Sequence, residues 1–413
     1  MSMPRLLAGV DSRPVKLSQH LRVHGHLPRR ERDELISELG RSGLRGRGGG
    51  AFPLGAKLAA VRRGDAPTVV INCCEGEPLG DKDRTLMWYA PHLVLDGAAV
   101  LSVATGAREV LVAVGERDRT ITEAVMRARD LRPELSRFSI GVVATPSGYV
   151  TGQETALVRW INHGVAKPTV PHPRVTERGI GGRPTLVSNV ETAAHAALIA
   201  RHGADWFREY GTEDDPGTAL VTLSGAVARP GVYEIAHGQP LRPLLRTAGG
   251  ATEAVRAFLF GGYAGGWVGG AAERDLRLSP VHLARFGTRL GAGIVYALGE
   301  SACPVAETAR VARWLAEQSA GQCGPCVHGL ASIADALSDV MHGVDVGALP
   351  QIERWTRLVP GRGACNHPDG AVAFVASALR VFAAETGDHA LHGRCDACDR
   401  PARMEVPELV GTS

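Results

Sequence analysis

The chain has 413 residues, 46 Lys and Arg against 43 Asp and Glu, and a net charge of +3, so no global field marks nucleic acid or an anionic membrane as its main partner. Its apolar runs are broken by charges such as Asp96 and Arg380 well short of a membrane span, and no apolar signal core opens the sequence; the expectation is a cytoplasmic, soluble, multidomain chain. Eight cysteines in this length are too few for a disulfide scaffold, which points their pairs toward metal or redox chemistry.

In chain order, residues 17–41 read as one helical stretch with Leu35, Ile36 and Leu39 on a common face, running into a glycine loop. The β-branched blocks TVVINCC (68–74), EVLVAVGE (109–116) and SIGVVAT (139–145) alternate with helical segments 91–105 and 119–131. That is a βαβαβ pattern, and it predicts a Rossmann-like α/β domain with a parallel sheet over residues 1–214. GTEDDPGT (211–218) reads as a linker, and the alternating run with its Pro230-Gly231 turn predicts a small α+β module over 215–298. From 299 to 390 the period becomes helical, with faces at Val305, Ala309, Ala312 and Ala316, at Leu330, Ile333, Leu337 and Val340, and at Val375, Leu379 and Phe382. A helical bundle is expected there, followed by a tail, 391–413, that carries a C-x-x-C pair.

Several stretches carry chemistry. SGLRGRGGGAFPLGAK (42–57) places glycines where the backbone can approach phosphate oxygens, with Arg45, Arg47 and Lys57 as counter-charges. It precedes the first strand, so it is not a dinucleotide fingerprint of the G-x-G-x-x-G type. NCCEGEPLGDKDR (72–84) follows that strand directly and projects Asn72, Glu75 and Glu77 at its carboxyl end, the position where open parallel sheets bind ligands. Adjacent Cys73 and Cys74 are read as packing residues. GYVTGQETALVRW (148–160) repeats the strand-to-helix topology, with Gln153 and Glu154 in the first helical turn, and GRPTLVSNVETAAH (182–195) offers Asn189 and Thr192 at what reads as a capped helix start.

SAGQCGPCVHG (319–329) contains the pair Cys323 and Cys326, Cys365 lies between two bundle helices, and Cys395 with Cys398 form a second pair in the tail. Two C-x-x-C pairs among eight cysteines favour a metal or cluster site, and structural zinc held by the two pairs together is the alternative to an iron-sulfur cluster. Cys303, ahead of Pro304 at a helix start, reads as structural.

Together these motifs resemble the peripheral flavoprotein subunit of respiratory complex I and its relatives in NAD-linked hydrogenases and formate dehydrogenases. The likeness spans residues 17–385 in colinear order: the glycine loop, N-x-x-E-G-E-P, Y-x-x-G-x-E-T, P-T-x-x-x-N-V-E-T, a β-grasp (soluble-ligand-binding) module and G-Q-C-x-P-C. The resemblance implies FMN at Gly46, Arg47, Gly48, Gly49, Lys57, Asn72, Glu75, Gly152, Gln153, Asn189 and Thr192. It implies NAD(P)H contacts from Phe52, His172, Glu77 and Glu154, the two glutamates being nearest the chemistry. Hydride would pass to FMN and single electrons through a [4Fe-4S] or [3Fe-4S] cluster to a ferredoxin-like protein or other subunits of a redox complex, with any membrane association made through those partners. A free-standing diaphorase-like enzyme and a non-catalytic scaffold of the same fold, with zinc or no cofactor, are the competing expectations.

Against the family pattern, Cys74 stands for Asp, Gln153 for Glu, Ser188 for Asn, Leu58 for an aromatic residue and His172 for Phe. Two fewer carboxylates make the expected pocket less negative, and each lost aromatic pair removes about 0.5–1.5 kcal/mol of stacking. Ala320 occupies the place of the first cluster cysteine, which leaves Cys323, Cys326 and Cys365 and raises the expectation that Cys395 or Cys398 swings back as the fourth ligand.

Overall fold

The computed structural model describes residues 3–11, 13–61, 64–345 and 347–407. The last six tail residues, 408–413, lie outside them. The chain forms two compact units, one of Met1–Gly76, Asp81–Val221 and Val232–Gln239, the other of Glu77–Gly80, Thr222–Gly231 and Pro240–Ser413.

The first unit is built on strands β1 (Thr68–Cys73), β2 (Glu109–Gly115), β3 (Ser139–Thr145) and β4 (Thr185–Asn189), in the order β3-β2-β1-β4. All three pairings are parallel, with Thr68 opposite both Glu109 and Thr185. The three sequence-predicted strands are present; β4 is an addition, because its five residues end on the Asn189 that caps the next helix and so read as part of a helix start. The N-terminal stretch is two helices, Leu17–His24 and Arg32–Arg41, not one. Gly25 at φ 70° ends the first, and Pro28 follows where a helix cannot resume easily.

Helix Pro91–Thr105 is buried almost throughout and crosses helix Val190–His202 closely. Gly97 makes this crossing possible, because a Cβ there would lie 1.9 Å from the Ala193 carbonyl oxygen. Next to this crossing lies a buried charge network: Asp96 accepts from His20 Nε2 at 2.9 Å and from Arg132 at 2.6 Å, and also from Arg201.

In the second unit the later residues of β5 (Thr218–Gly225) pair in parallel with β9 (Ile294–Gly299), which pairs antiparallel with β7 (Val255–Phe260), and β7 with β8 (Gly266–Gly269). Strand β6 (Gly231–Ala236), which belongs to the first unit from Val232 on, follows the Pro-Gly turn, and in the second unit Leu241–Thr247 forms the helix expected there. Helices Pro304–Glu317, Ala331–His342, Ala348–Leu358, His367–Val381 and Ala383–His392 complete the unit. Trp267 joins sheet to helices, its ring 6.0 Å from Phe374 and 5.3 Å from Phe382. The tail packs on the same helices: Tyr263 Oη donates to the Glu405 carbonyl, Arg310 donates to that of Met404, and Met404 is buried. No single helix among the described residues is long and apolar enough to cross a membrane.

Candidate functional site

Strand order places β2 and β3 on one side of β1 and β4 on the other, so β1/β4 is where the topology reverses. Ligands of open α/β sheets sit outside the strands' carboxyl ends at such a point. Here those ends are Asn72 and Asn189, directly opposite one another. Asn72 Nδ2 donates to the Gly152 carbonyl at 2.8 Å, and its Oδ1 accepts from Cys74 N at 3.0 Å. Asn189 Oδ1 caps the next helix by accepting from Glu191 N at 3.0 Å, while Nδ2 donates to Asp83 at 2.6 Å. Both asparagines therefore fix backbone around the strand ends.

The glycine loop arrives over the same place. Its fold is pinned by the Arg47 N–H, which donates to Thr192 Oγ1 at 2.9 Å. The Arg47 side chain points away into protein, meeting His237 Nε2 at 2.6 Å and donating to the Thr218 carbonyl at 3.1 Å. This changes the expected role of Arg47: it is a clamp under the loop, and burial lowers its guanidinium pKa against the charges of Glu191 and Asp215. Gly48 passes Asn189 so closely that a Cβ would lie 3.3 Å from the Asn189 Cβ. A Cβ on Gly152 would meet the Cys74 carbonyl oxygen at 2.7 Å, and one on Gly76 the Tyr149 carbonyl oxygen at 2.7 Å. Gly152 and Gly76 are required because backbone passes backbone there.

Lys57 lies on helix Leu54–Val61 and donates to Glu154 Oε1 at 2.7 Å and to the Val187 carbonyl at 3.1 Å. Gln153 caps helix Glu154–His163, its Oε1 accepting from Thr155 N and Ala156 N, each at 2.9 Å. A glutamine supplies the acceptor that a glutamate would, without its charge. Cys74 Sγ stands 3.2 Å from Thr145 Oγ1, and burial pushes its thiol up to about 11, so it contributes no charge. The Ser188 hydroxyl is buried without a hydrogen-bond partner. Leu58 is in the core. Phe52 and His172 are exposed, Gly46 and Gly49 half-buried.

Beneath this surface lies a charge cluster that motif reading passed over. Lys82 is almost fully buried, 2.6 Å from Asp83 and 3.0 Å from Glu191. Burial opposes the charge of Glu191, but Lys82, the His195 imidazole 3.7 Å away and Arg47 hold its carboxyl down at about 2. Glu191 also accepts from the Leu220 N–H at 2.9 Å. Glu75 behaves oppositely: burial, then the charge of Asp83, push it up to about 8 against Lys82 and Arg84. The signal was present in the sequence as the charged D-K-D-R run, which looks like a solvated loop until its burial is known. Glu77, two residues on from Glu75, belongs to the second unit and accepts from the Tyr263 N–H at 2.8 Å.

In the second unit Cys323 precedes a π-helical turn, Pro325–Leu330, that carries Cys326 and continues into helix Ala331–His342. The Cys323 carbonyl accepts from the N–H groups of Cys326 at 3.2 Å and Val327 at 3.0 Å. Cys365 sits just before helix His367–Val381, and burial, then the neighbouring Cys323 and Cys365, push the Cys326 thiol up to about 12. Ala320 stands half-buried before Gly321. The tail pair does not join this group. Cys395 and Cys398 assemble with Cys303 and His389, their ligand atoms all within 4.8 Å of one another. The fold turns the tail at Gly393, φ 75°, directly back to Cys303. The expectation of a tail cysteine as fourth cluster ligand, and of zinc shared by the two C-x-x-C pairs, is corrected accordingly. Cys303, read from the sequence as structural, is one of these four.

Residues 39–197 match the family model described as the Nuo51 FMN-binding domain, 220–270 the SLBB domain, and 306–389 the NADH-ubiquinone oxidoreductase-F iron-sulfur binding region. An F-type subunit of NADH-quinone oxidoreductase from Rhizobium meliloti (strain 1021), numbered 2 there, is 31% identical over 380 residues, covering 88% of this chain and 90% of that protein. The chain belongs to the F-type family of NADH-quinone oxidoreductase subunits. Another member, the F-type protein of Escherichia coli (strain K12), is 29% identical over 402 residues, 91% of this chain and 90% of that one. Among solved structures, the NAD+-reducing [NiFe]-hydrogenase in its air-oxidized state superposes with a TM-score of 0.85 at 26% identity, over 97% of this chain and 68% of that chain. The resemblance read from the order of motifs therefore holds, and with it the α/β, β-grasp and helical architecture of the F-type family.

Proposed function

We propose that this chain is the NAD(P)H-oxidising flavoprotein module of a larger redox complex, handing electrons to a ferredoxin-like or other partner subunit. The observation that carries the reading is the paired strand ends Asn72 and Asn189 with the glycine loop passing within Cβ contact of Asn189, at the one place where the sheet order reverses. FMN suits this cradle: Gly48 carries the loop past Asn189 without a side chain of its own, and the buried Ser188 hydroxyl has hydrogen-bonding capacity to spare. When bound, FMN and the cluster supply the conversion of a two-electron donor's hydride into single-electron steps.

The chain's own groups divide the work. Gly48 and Gly49 present backbone N–H groups to the phosphate, the Gly46 N–H instead closing the loop by donating to the Phe52 carbonyl at 2.9 Å, and Lys57, held in place by Glu154 and the Val187 carbonyl, supplies the fixed positive charge. Asn72, Gln153, Asn189 and Thr192 hold the cradle's backbone in register. Phe52, with its exposed ring, Glu154 and the exposed His172 bind the nicotinamide nucleotide. Cys323 and Cys326 at the π-helical turn and Cys365 before helix His367–Val381 hold the cluster, all within the segment that matches the iron-sulfur binding region.

The purified protein, reconstituted anaerobically with FMN, iron and sulfide, is expected to show flavin bands over a broad cluster shoulder. Added NADH should bleach the flavin, and NADPH run in parallel sets the preference. A protein that takes up FMN but is reduced by neither nucleotide would sink the proposal.

A further inference from the structure

The second unit holds a set of ligands that the flavin and cluster do not use. Cys303 caps the start of helix Pro304–Glu317, His389 lies in the last turn of helix Ala383–His392, and Cys395 and Cys398 sit at the 3-10 turn Asp396–Asp399. Their spacing is that of a single ion. Cys395 Sγ is 3.7 Å from Cys398 Sγ, and Cys398 Sγ is 3.5 Å from Cys303 Sγ. His389 Nε2 is 3.4 Å from Cys303 Sγ and 4.0 Å from Cys398 Sγ. A tetrahedron about Zn2+, with Zn–S near 2.3 Å and Zn–N near 2.05 Å, has edges of about 3.8 Å between sulfurs and about 3.6 Å between sulfur and nitrogen. A four-iron cluster assigns each thiolate to a different iron and holds its ligands farther apart.

The surroundings agree. His389 Nδ1 faces the Met341 carbonyl at 3.2 Å, and since a carbonyl only accepts, the proton is on Nδ1 and the Nε2 lone pair is free for a metal. The Ala306 N–H donates to Cys303 Sγ at 3.4 Å, the Cys398 N–H meets the Cys395 carbonyl at 2.9 Å, and Arg394 donates to the Cys398 carbonyl at 3.2 Å, all of which pre-form the site. Gly393, at φ 75° with a Cβ position 3.0 Å from the His342 carbonyl oxygen, admits no other residue without strain.

We propose that Cys303, His389, Cys395 and Cys398 bind one Zn2+ as a closed, structural tetrahedral site, separate from the iron-sulfur cluster. All four corners are protein ligands, so the ion has no open position for a substrate. Its effect is to fasten the tail to the start of the helix that precedes the cluster loop. The site stands independently of the flavin reading.

The test is metal analysis of the full-length protein with its cluster in place. One zinc per chain is expected in the wild type, falling to none in the double variant Cys395→Ser, Cys398→Ser, with iron and sulfide per chain unchanged; Cys323→Ser should do the reverse. Because the double variant could misfold, Co2+ exchanged into the wild type provides a second reading: the visible bands of tetrahedral cobalt thiolate support the site. His389→Cys, which keeps four ligands, should retain the zinc. Wild type without zinc after metal-replete growth, iron lost together with the tail cysteines, or a Cys395–Cys398 disulfide in the reduced protein would each overturn the proposal.

Discussion

The backbone N–H of Arg47 donates to Thr192 Oγ1 at 2.9 Å, so the glycine loop is tied to the helix that begins at the end of β4. Thr192 is itself buried, and without its oxygen the amide would be left unpaired. An orphaned buried donor costs about 1–3 kcal/mol. Thr192→Val keeps the volume and removes the acceptor, and with about 1.4 kcal/mol per tenfold in affinity it should weaken FMN binding about tenfold. Titration of the apoprotein by flavin fluorescence measures this; an unchanged affinity would mean that the Arg47 side-chain contacts alone position the loop.

Glu75 gives the fold a pH dependence of its own. Burial and the neighbouring Asp83 raise its carboxyl to about 8, above the ordinary value near 4.3 that it has in the unfolded chain. Folding therefore takes up a proton between those values, and the protonated group's contribution to stability is full below about pH 4.3 and is lost as pH rises through about 8. Glu75→Gln mimics the protonated form. The variant's melting temperature, followed in the apoprotein across this window, should fall less steeply with rising pH than that of the wild type.

The sheet was legible because β1 to β3 are continuous β-branched runs, and the site was legible because asparagine, glycine and glutamate cluster just after them. Strand β4 was hidden since Asn189 is both its last residue and the cap of the next helix. The roles of Asn72, Gln153 and Thr192 were harder to read: a polar residue at a strand end looks the same whether it faces ligand or holds backbone, and only the partners decide. The Cys303 tetrad escaped because one corner lies 86 residues from His389 in sequence, a closure that depends on the packing of whole helices. Its local half, H-x5-C-x-x-C, was readable.

Asp96 should be the residue whose loss the first unit tolerates least. Burial by itself would raise its carboxyl, but the hydrogen bond from His20 and the charges of Arg201 and Arg132 hold it far below the usual carboxylate range. Its stabilising contribution is complete above the unfolded value near 3.9 and disappears as pH falls below that toward the folded value. Asp96→Asn strands two cations between the helices at about 3–5 kcal/mol, as expected when one member of a buried ion network is removed. Denaturant unfolding at neutral pH should show that loss, and the variant should also lack the wild type's extra sensitivity to acid.

Ala320 sets the last expectation. It occupies the first position of the C-G-x-C-x-x-C pattern, with Gly321 at φ 67° turning the chain toward Cys323 and Cys326. Since the tail cysteines are engaged with Cys303 and His389, no thiol from that quarter replaces it, and one iron of a four-iron cluster would lack a protein thiolate. Such an iron exchanges readily, so the reconstituted wild type should lose iron to a chelator and convert toward the three-iron form. Ala320→Cys should slow that loss and hold the four-iron form, read by iron content and by the paramagnetic signal of the oxidised three-iron cluster. Equal loss from both proteins would place the weak corner elsewhere, at Cys323, Cys326 or Cys365.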